Sequence, residues 1–245
     1  CSKNTSYELG TSSIRSFGRI IESVAKAQIF TMQRIQVLVW DFDGVIVRNS
    51  ERTKQDAWKE LGKKFSQKGA RVLEKYRDTY SNGRGSRYDV VKATCTELGC
   101  ADEETIKKYV AEYQFIVERG IRAEGVHPED LAVLTALSEK YPMYINSATP
   151  SPDLMETLKF LGIKSLFKAA YGQPSSKIKI LQKIAADANV SEGEMLFIGD
   201  GEGDWKAAQE FGCRFFGIAN AWNEWCPPKP FSLAKYIGDL KFFLI

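Results

Sequence analysis

Asp41 and Asp43 stand two residues apart at the end of the apolar run Val37-Leu-Val-Trp40, and Gly44 follows them. Residues two apart on an extended chain project to the same side, so two ionised carboxylates there repel unless a cation or a proton intervenes. Three more points carry complementary groups at the ends of strand-like or helix-like stretches. Asn146-Ser147-Ala148-Thr149 ends the run MYINSAT, Lys177 opens a helical stretch after Gly172-Gln-Pro-Ser-Ser176, and Phe197-Ile198 runs into Gly199, Asp200 and Asp204. Asp41, Asp43 and Asp200 are hard oxygen ligands of the kind Mg²⁺ accepts. Bound there, Mg²⁺ would end the repulsion and neutralise the oxygens of a phosphoryl group. Lys177 adds a point charge and Ser147 a hydroxyl donor. Phosphoryl transfer asks a protein mostly for positioning and electrostatic stabilisation, and a carboxylate can act as nucleophile through an aspartyl-phosphate. Singly, each point has a plain structural reading: D-x-D as a turn pair, G-D-x-x-x-D as a loop before an N-capped helix. Together and in this order they carry a signal.

The groups need a scaffold that brings strand ends to one place. Strand-like runs recur at Val37–Trp40, Met143–Asn146, Met195–Ile198 and Arg214–Ile218, with a weaker one at Phe167–Tyr171. Helical patterns lie between them at Pro128–Lys140, Asp153–Leu161, Lys177–Ala188 and Asp204–Phe211, the second and fourth stopped by Gly162 and Gly212. Alternating strands and helices predict an α/β fold with a parallel sheet covered on both faces. Ligands in such folds bind at the carboxyl ends of strands, where strand order reverses.

Residues from about Arg48 to Val126 break that rhythm and read as helices alone, marked by Ala57, Trp58 and Leu61, then Val72, Leu73 and Tyr76, then Val90, Val91 and Leu98, then Ile106, Tyr109, Val110 and Tyr113. Residues 51–92 are basic and 97–130 acidic; the split fits solvated helix faces, or a basic half facing an anionic substrate. Residues 1–31 space Ile14, Phe17, Ile20, Ile21 and Val24 as on one helix. Such a helix packs on its own domain, on a second subunit in a homo-oligomer, or on a membrane surface, and Met32 is an alternative start. A net charge of +3 gives no argument for nucleic acid, and no apolar segment reaches the ~20 residues needed for a membrane span. The start has no signal-peptide pattern, and five cysteines without a C-x-x-C pair point to a reducing, cytoplasmic setting.

The order D-x-D-G, strand-terminal Ser, Lys, G-D-x-x-x-D resembles the haloacid dehalogenase (HAD) superfamily over about residues 34–222, and the helical insertion resembles its C1 cap. The resemblance implies a Rossmann-like three-layer core with a parallel sheet (32–47 and 127–245), an inserted all-α cap (48–126) and an N-terminal extension (1–31). It implies Asp41 as nucleophile and Asp43 as general acid, then base. Ser147 and Lys177 would hold the phosphoryl group. Mg²⁺ would take Asp41, the Asp43 main-chain carbonyl and Asp200, with Asp204 in support. Gly172-Gln173-Pro174 departs from the Gly-Lys-Pro of many cap-bearing relatives; Lys177 supplies the lysine four residues on, with Lys179 and Lys183 as alternatives. Gly201 stands where Ser is common.

In the cap, Asn82–Asp89 (NGRGSRYD) is similar to the specificity loop of β-phosphoglucomutases and phosphoglycolate phosphatases. Arg84 or Arg87 could fork onto a carboxylate or second phosphate, with a Gly-rich turn as the plain reading. Asn146 is a further candidate substrate contact. His127 reads as structural, and Trp222, Trp225, Pro227 and Pro228 as a segment packed on the sheet. The expectation is a Mg²⁺-dependent phosphatase acting on a small phosphorylated metabolite, a sugar phosphate or phosphoglycolate-like acid. The alternatives are a phosphomutase of the β-phosphoglucomutase type and a non-catalytic partner-binding protein on the same fold.

Overall fold

Val37–Trp40 form β1, and their alternation decides what lies above and below it. Leu38 and Trp40 enter one apolar cluster and Val37 and Val39 the other, so every side chain of the strand is buried. A strand buried on both faces is the signature of a sheet sandwiched between helices. The computed structural model describes residues 34–80, 85–220, 223, 225 and 229–241. The helix expected within 1–31 lies outside the described residues, and Ile35 onward forms one compact unit.

The sheet has six strands, all parallel, in the order β3-β2-β1-β4-β5-β6. They are β2 (Met143–Pro150), β3 (Ala169–Gln173), β4 (Met195–Gly199), β5 (Arg214–Ile218) and β6 (Ser232–Ala234). The chain leaves β1 toward β2 and β3 on one side, then returns to β4 on the other, so β1 and β4 flank the point where strand order reverses. The register sets Trp40 against Ile145 of β2 and against Ile198 of β4. Asp41 is therefore abreast of Asn146 and of the Gly199–Asp200 turn.

Two strand expectations shift. β2 continues past Asn146 to Pro150, because after a register slip it pairs with β3 again at Gln173. β3 begins at Ala169 rather than Phe167, which follows a short 3₁₀ turn and is buried instead. β6 was not expected; three residues on an edge leave no periodic trace.

Four helices fill the insertion: α1 (Ser50–Gly62), α2 (Gln67–Thr79), α3 (Arg87–Glu97) and α4 (Glu103–Glu124). Their starts are chemically marked: Ser66 accepts from Gly69 N–H, Ser86 and Asp89 form a reciprocal capping box, and Asp102 accepts from Thr105 N–H. Leu98 is the cap residue just past α3 rather than part of it. Stacked pairs Trp58–Tyr113 (3.9 Å) and Phe65–Tyr109 (4.3 Å) join α4 to α1 and its exit. The remaining helices cover the sheet: α5 (Pro128–Lys140), α6 (Ser151–Phe160), α7 (Lys177–Ala188) and α8 (Glu202–Phe211).

The crossing from β1 into the insertion is clamped. Arg48 forks onto Asp130 of α5 with bonds of 2.6 and 2.9 Å, Gly238 N–H donates to the same carboxylate at 2.8 Å, and the guanidinium lies 3.9 Å above the Tyr236 ring. Asp130 is fully buried. A buried carboxylate so satisfied is tolerable, and cutting the arginine would cost about 3–5 kcal/mol.

Candidate active site

The carboxyl ends of β1, β2, β4 and β5 and the first turns of α7 and α8 meet beside the insertion. Asp41 is held by its surroundings. Its main-chain N–H donates to Ile198 at 2.8 Å, its Oδ1 accepts from Phe42 N–H at 2.8 Å, and its Oδ2 lies 3.0 Å from Lys177 Nζ. Lys177 opens α7 behind the Ser176 N-cap and also binds Asp204 Oδ1. Asp204 sits in the first turn of α8, where its other oxygen accepts from Gly201 N–H at 2.9 Å. Asp200 leaves β4 and accepts from Asn220 Nδ2 at 2.6 Å, while Asn223 Nδ2 donates to the Asp200 carbonyl at 2.8 Å.

Asp41, Asp200 and Asp204 are all buried and offer ligand oxygens within 4.8 Å of one another. Lys177 is paired with two of them, Asp41 and Asp204. Burial and then the Asp204 charge push Asp41 well above the ordinary carboxylate range, against the pull of Lys177. The same two causes push Asp200 up to about 7, although its bond from Asn220 pulls down. Lys177 is held above the ordinary lysine range: burial opposes its charge, but Asp204 and Asp41 outweigh burial. Three buried carboxylates against a single lysine are more negative than they can comfortably hold. That imbalance, with an all-oxygen donor set, fits a divalent cation such as Mg²⁺.

Asp43 is set apart from that cluster. Lys54 of α1 places Nζ 2.8 Å from Asp43 Oδ2, and Thr149 Oγ1 donates to the same oxygen at 3.0 Å. Lys54 also binds Glu51 at 2.8 Å. Burial would raise the Asp43 carboxyl, but Lys54 and hydrogen bonds involving Thr149 and Ser50 outweigh it and hold it below the ordinary range. Its Oδ1 is buried and without a hydrogen-bond partner. Gly44 makes the sharp exit possible: its φ is +71°, and a Cβ there would fall 2.1 Å from Asp200 Oδ2. Gly172 is needed for a different reason, since a Cβ on it would lie 2.0 Å from the Thr149 carbonyl.

A cleft of about 600 Å³ opens between the helical insertion and these strand ends, lined by Asp43, Lys54, Trp58, Arg87, Tyr113 and Thr149 among others. The expected site residues fall differently around it. Ser147 is buried at the end of the β2 pairing, its Oγ accepting from Thr149 N–H at 3.0 Å. Asn146 is fully buried and, like Asp41, Ser147, Lys177, Asp200 and Asp204, absent from the cleft lining; its amide nitrogen donates to the Lys177 carbonyl at 2.9 Å and its Oδ1 is buried without a hydrogen-bond partner. Arg87 lines the cleft but lies 3.6 Å from Asp153 of α6. Arg84 lies outside the described residues, as do Trp222, Pro227 and Pro228. Trp225 packs on Phe215 of β5. His127 precedes α5 without capping it, beside a hollow of about 860 Å³ next to the two chain crossings.

Sequence reasoning missed Lys54, Asn220 and Asn223 and gave Thr149 no role. The asparagines had a findable signal, since β5 is a fifth strand whose carboxyl end lies beside Asp200. Lys54 had none: it is one of two lysines on an amphipathic helix.

A parallel α/β sheet with an acid-rich centre at its switch point and a helical insertion after the first strand defines a HAD-type hydrolase scaffold. The chain belongs to that family: the haloacid dehalogenase-like hydrolase model matches residues 35–212, well over half its length. A phosphoglycolate phosphatase of Pectobacterium atrosepticum is 28% identical over 57% of this chain and 59% of its own length, so the chain spans less than two thirds of that relative. Among solved structures, YfnB of Bacillus subtilis, described as a HAD hydrolase bound to magnesium, superposes with a TM-score of 0.64 at 17% identity (86% of this chain, 99% of that one). β-Phosphoglucomutase of Clostridium difficile gives 0.60 at 18% (85% and 94%). At these identities the structures speak to the fold.

Proposed function

We propose that the protein is a Mg²⁺-dependent phosphatase that hydrolyses a small phosphorylated metabolite, a sugar phosphate or phosphoglycolate-like acid, through an aspartyl-phosphate. The observation that carries this reading is the cluster of Asp41, Asp200 and Asp204 around one lysine at the switch point of the sheet. Asp41, Asp200 and the Asp43 main-chain carbonyl would hold Mg²⁺ with Asp204 in support. The ion, when bound, would neutralise phosphoryl oxygens.

Asp41 Oδ2 attacks phosphorus while Lys177 and Ser147 orient the phosphoryl oxygens. Asp43 gives a proton to the leaving oxygen as the P–O bond breaks, then takes one from the water that attacks the aspartyl-phosphate. Held as a carboxylate in the resting site, Asp43 suits the second step; a phosphoryl dianion arriving beside it raises its proton affinity for the first. Asn146 is read as a brace for Lys177. Residues 48–126 act as the cap, with Arg87 and Arg84 as its candidate substrate contacts. The described cysteines, Cys95, Cys100 and Cys213, are free thiols, which suits a cytosolic enzyme. No described helix is long and apolar enough to cross a membrane.

The deciding experiment is phosphate release from a panel of phosphorylated metabolites, with and without chelator. Release that disappears with chelator and returns with Mg²⁺ supports the reading. Isomerised product without phosphate would replace it with a mutase, and turnover indifferent to chelator would remove the metal.

A further inference from the structure

Asp43 has one anchored oxygen and one bare one, and the anchor comes partly from the helical insertion. Lys54 Nζ and Thr149 Oγ1 converge on Oδ2 at 2.8 and 3.0 Å and the Ser50 hydroxyl also acts on the carboxyl, while no donor makes a well-formed hydrogen bond to the buried Oδ1. Carboxylate oxygens are chemically equivalent until their surroundings distinguish them; here two donors on one oxygen fix the plane of the group and leave the other for chemistry. Lys54 is itself fixed, because Glu51 one helical turn earlier binds the same ammonium at 2.8 Å. Ser50, the first residue of that helix, accepts from Gly44 N–H at 2.8 Å and ties the helix start to the Asp43 loop.

We infer that Lys54, with Thr149, is a positioning residue that makes Asp43 Oδ1 the atom that moves the proton. This rests on the phosphatase reading and adds a component to it. Lys54 rides on the insertion and Thr149 on the sheet, so Asp43 is fully oriented when the two parts meet over the cleft. In the first half-reaction the Oδ1 proton passes to the leaving oxygen as that oxygen takes the electron pair of the breaking P–O bond and Asp41 Oδ2 bonds to phosphorus. In the second, Oδ1 receives a proton from water as the water oxygen bonds to phosphorus and Asp41 is released.

A proton donor matters most when the leaving group is a strong base, which gives a test that fold damage cannot imitate. The probes are a series of aryl phosphates from 4-nitrophenyl phosphate to phenyl phosphate and 4-methoxyphenyl phosphate, read as kcat/KM at saturating Mg²⁺. Wild type should depend weakly on leaving-group basicity. Lys54→Ala should lose about tenfold or more in excess on the poorest leaving groups relative to 4-nitrophenyl phosphate. Lys54→Gln, which keeps a donor, should recover part of that difference. Thr149→Val should steepen the series in the same direction, which keeps the idea testable should Lys54→Ala misfold.

An equal loss across the series in Lys54→Ala, or a gain on poor leaving groups, overturns the role of Lys54. Asp43→Asn serves as the reference for a missing proton donor. A steep series for Asp43→Asn with an unchanged one for Lys54→Ala sinks the Lys54 inference and leaves the phosphatase reading standing. Failure of wild type to hydrolyse any aryl phosphate, or an Asp41→Asn variant as active as wild type, overturns both.

Discussion

The acid cluster at the strand ends (the floor) and the helical insertion (the roof) handle charge in opposite ways. On the floor, Asp41 and Asp204 share Lys177 with Asp200 beside them, and burial pushes Asp41 and Asp200 toward protonation. On the roof, cations meet acids. Lys54 faces Asp43 and Glu51, Arg77 faces Asp78, Arg87 faces Asp153, and Arg122 faces Glu156. Three of these roof pairs, from Lys54, Arg87 and Arg122, reach across to the sheet domain. The floor thus carries more buried negative charge than its lysine offsets, and under the proposed function it takes up a cation and the reacting group. These roof pairs are already balanced, so under the proposed function the roof contributes shape, closure and the aim of Asp43.

The sharpest way to break this comparison is at the floor. Asp41→Asn should lower phosphate release by at least about 10³-fold, since the nucleophile is removed from a site whose remaining groups only position and stabilise. Circular dichroism and a thermal melt should show the fold retained, because asparagine can still accept from Phe42 N–H. Comparable turnover in the variant would make the floor a structural charge cluster.

Asp200→Asn separates charge strain from catalysis. A carboxyl group with a higher pKa in the folded than in the unfolded chain costs stability once pH passes the unfolded value near 4, and the cost grows until pH reaches the folded value of about 7. Removing the ionisable group should stabilise the metal-free protein at pH 8 by about 1–3 kcal/mol, a rise in Tm on the order of 5 °C. At pH 4 the variant and wild type should melt together. Added Mg²⁺ should raise the Tm of wild type at pH 8 and do little for the variant. A variant that is less stable at pH 8 would mean that the Asn220 bond, rather than charge excess, dominates at this position.

The floor was also the legible part of the molecule. Asp41, Asp43, Asp200 and Asp204 are marked by short linear spacings, and those spacings survive folding because the first three sit where the chain leaves a buried strand and Asp204 in the first turn of the helix that follows. Lys177 was placed by its position at a helix start, and the sheet by apolar runs that are buried on both faces. The roof resisted for a physical reason. Its helices are readable from periodicity, but which lysine meets Asp43 depends on how α1 rotates against the sheet, and no local pattern encodes that. Asn146 shows a related limit: a polar residue at a strand end reads as a substrate contact, whereas the fold also ties its amide nitrogen to the α7 backbone, which no linear pattern announces. Asn220 was within reach, had the strand-end rule been carried to β5.

At the roof the effects should be smaller and of another kind. Arg87 and Asp153 are 23% and 29% exposed at 3.6 Å, a geometry worth up to about 1 kcal/mol. Arg87→Ala should raise KM within about tenfold and leave kcat nearly unchanged, because it loosens closure or a substrate contact without touching the reacting atoms. Raising the ionic strength should erase much of the difference between variant and wild type. A drop in kcat with KM unchanged would place Arg87 in the chemistry instead.

The smallest effect belongs to Glu156, 66% exposed and 3.3 Å from Arg122. Arg122 keeps other company when that partner is lost: its guanidinium lies 4.3 Å from the centre of the Phe160 ring, and Glu118 is 4.0 Å away. An exposed pair with a standing alternative contributes a few tenths of a kcal/mol, so Glu156→Ala should shift Tm by no more than about 1–2 °C and leave kcat/KM intact. The comparison with Asp200→Asn at the same pH is what matters. Roof and floor differ because one set of charges is partnered in reach of water and the other is crowded away from it. If Glu156→Ala moved stability as far as Asp200→Asn, burial would not be the cause of the floor's strain.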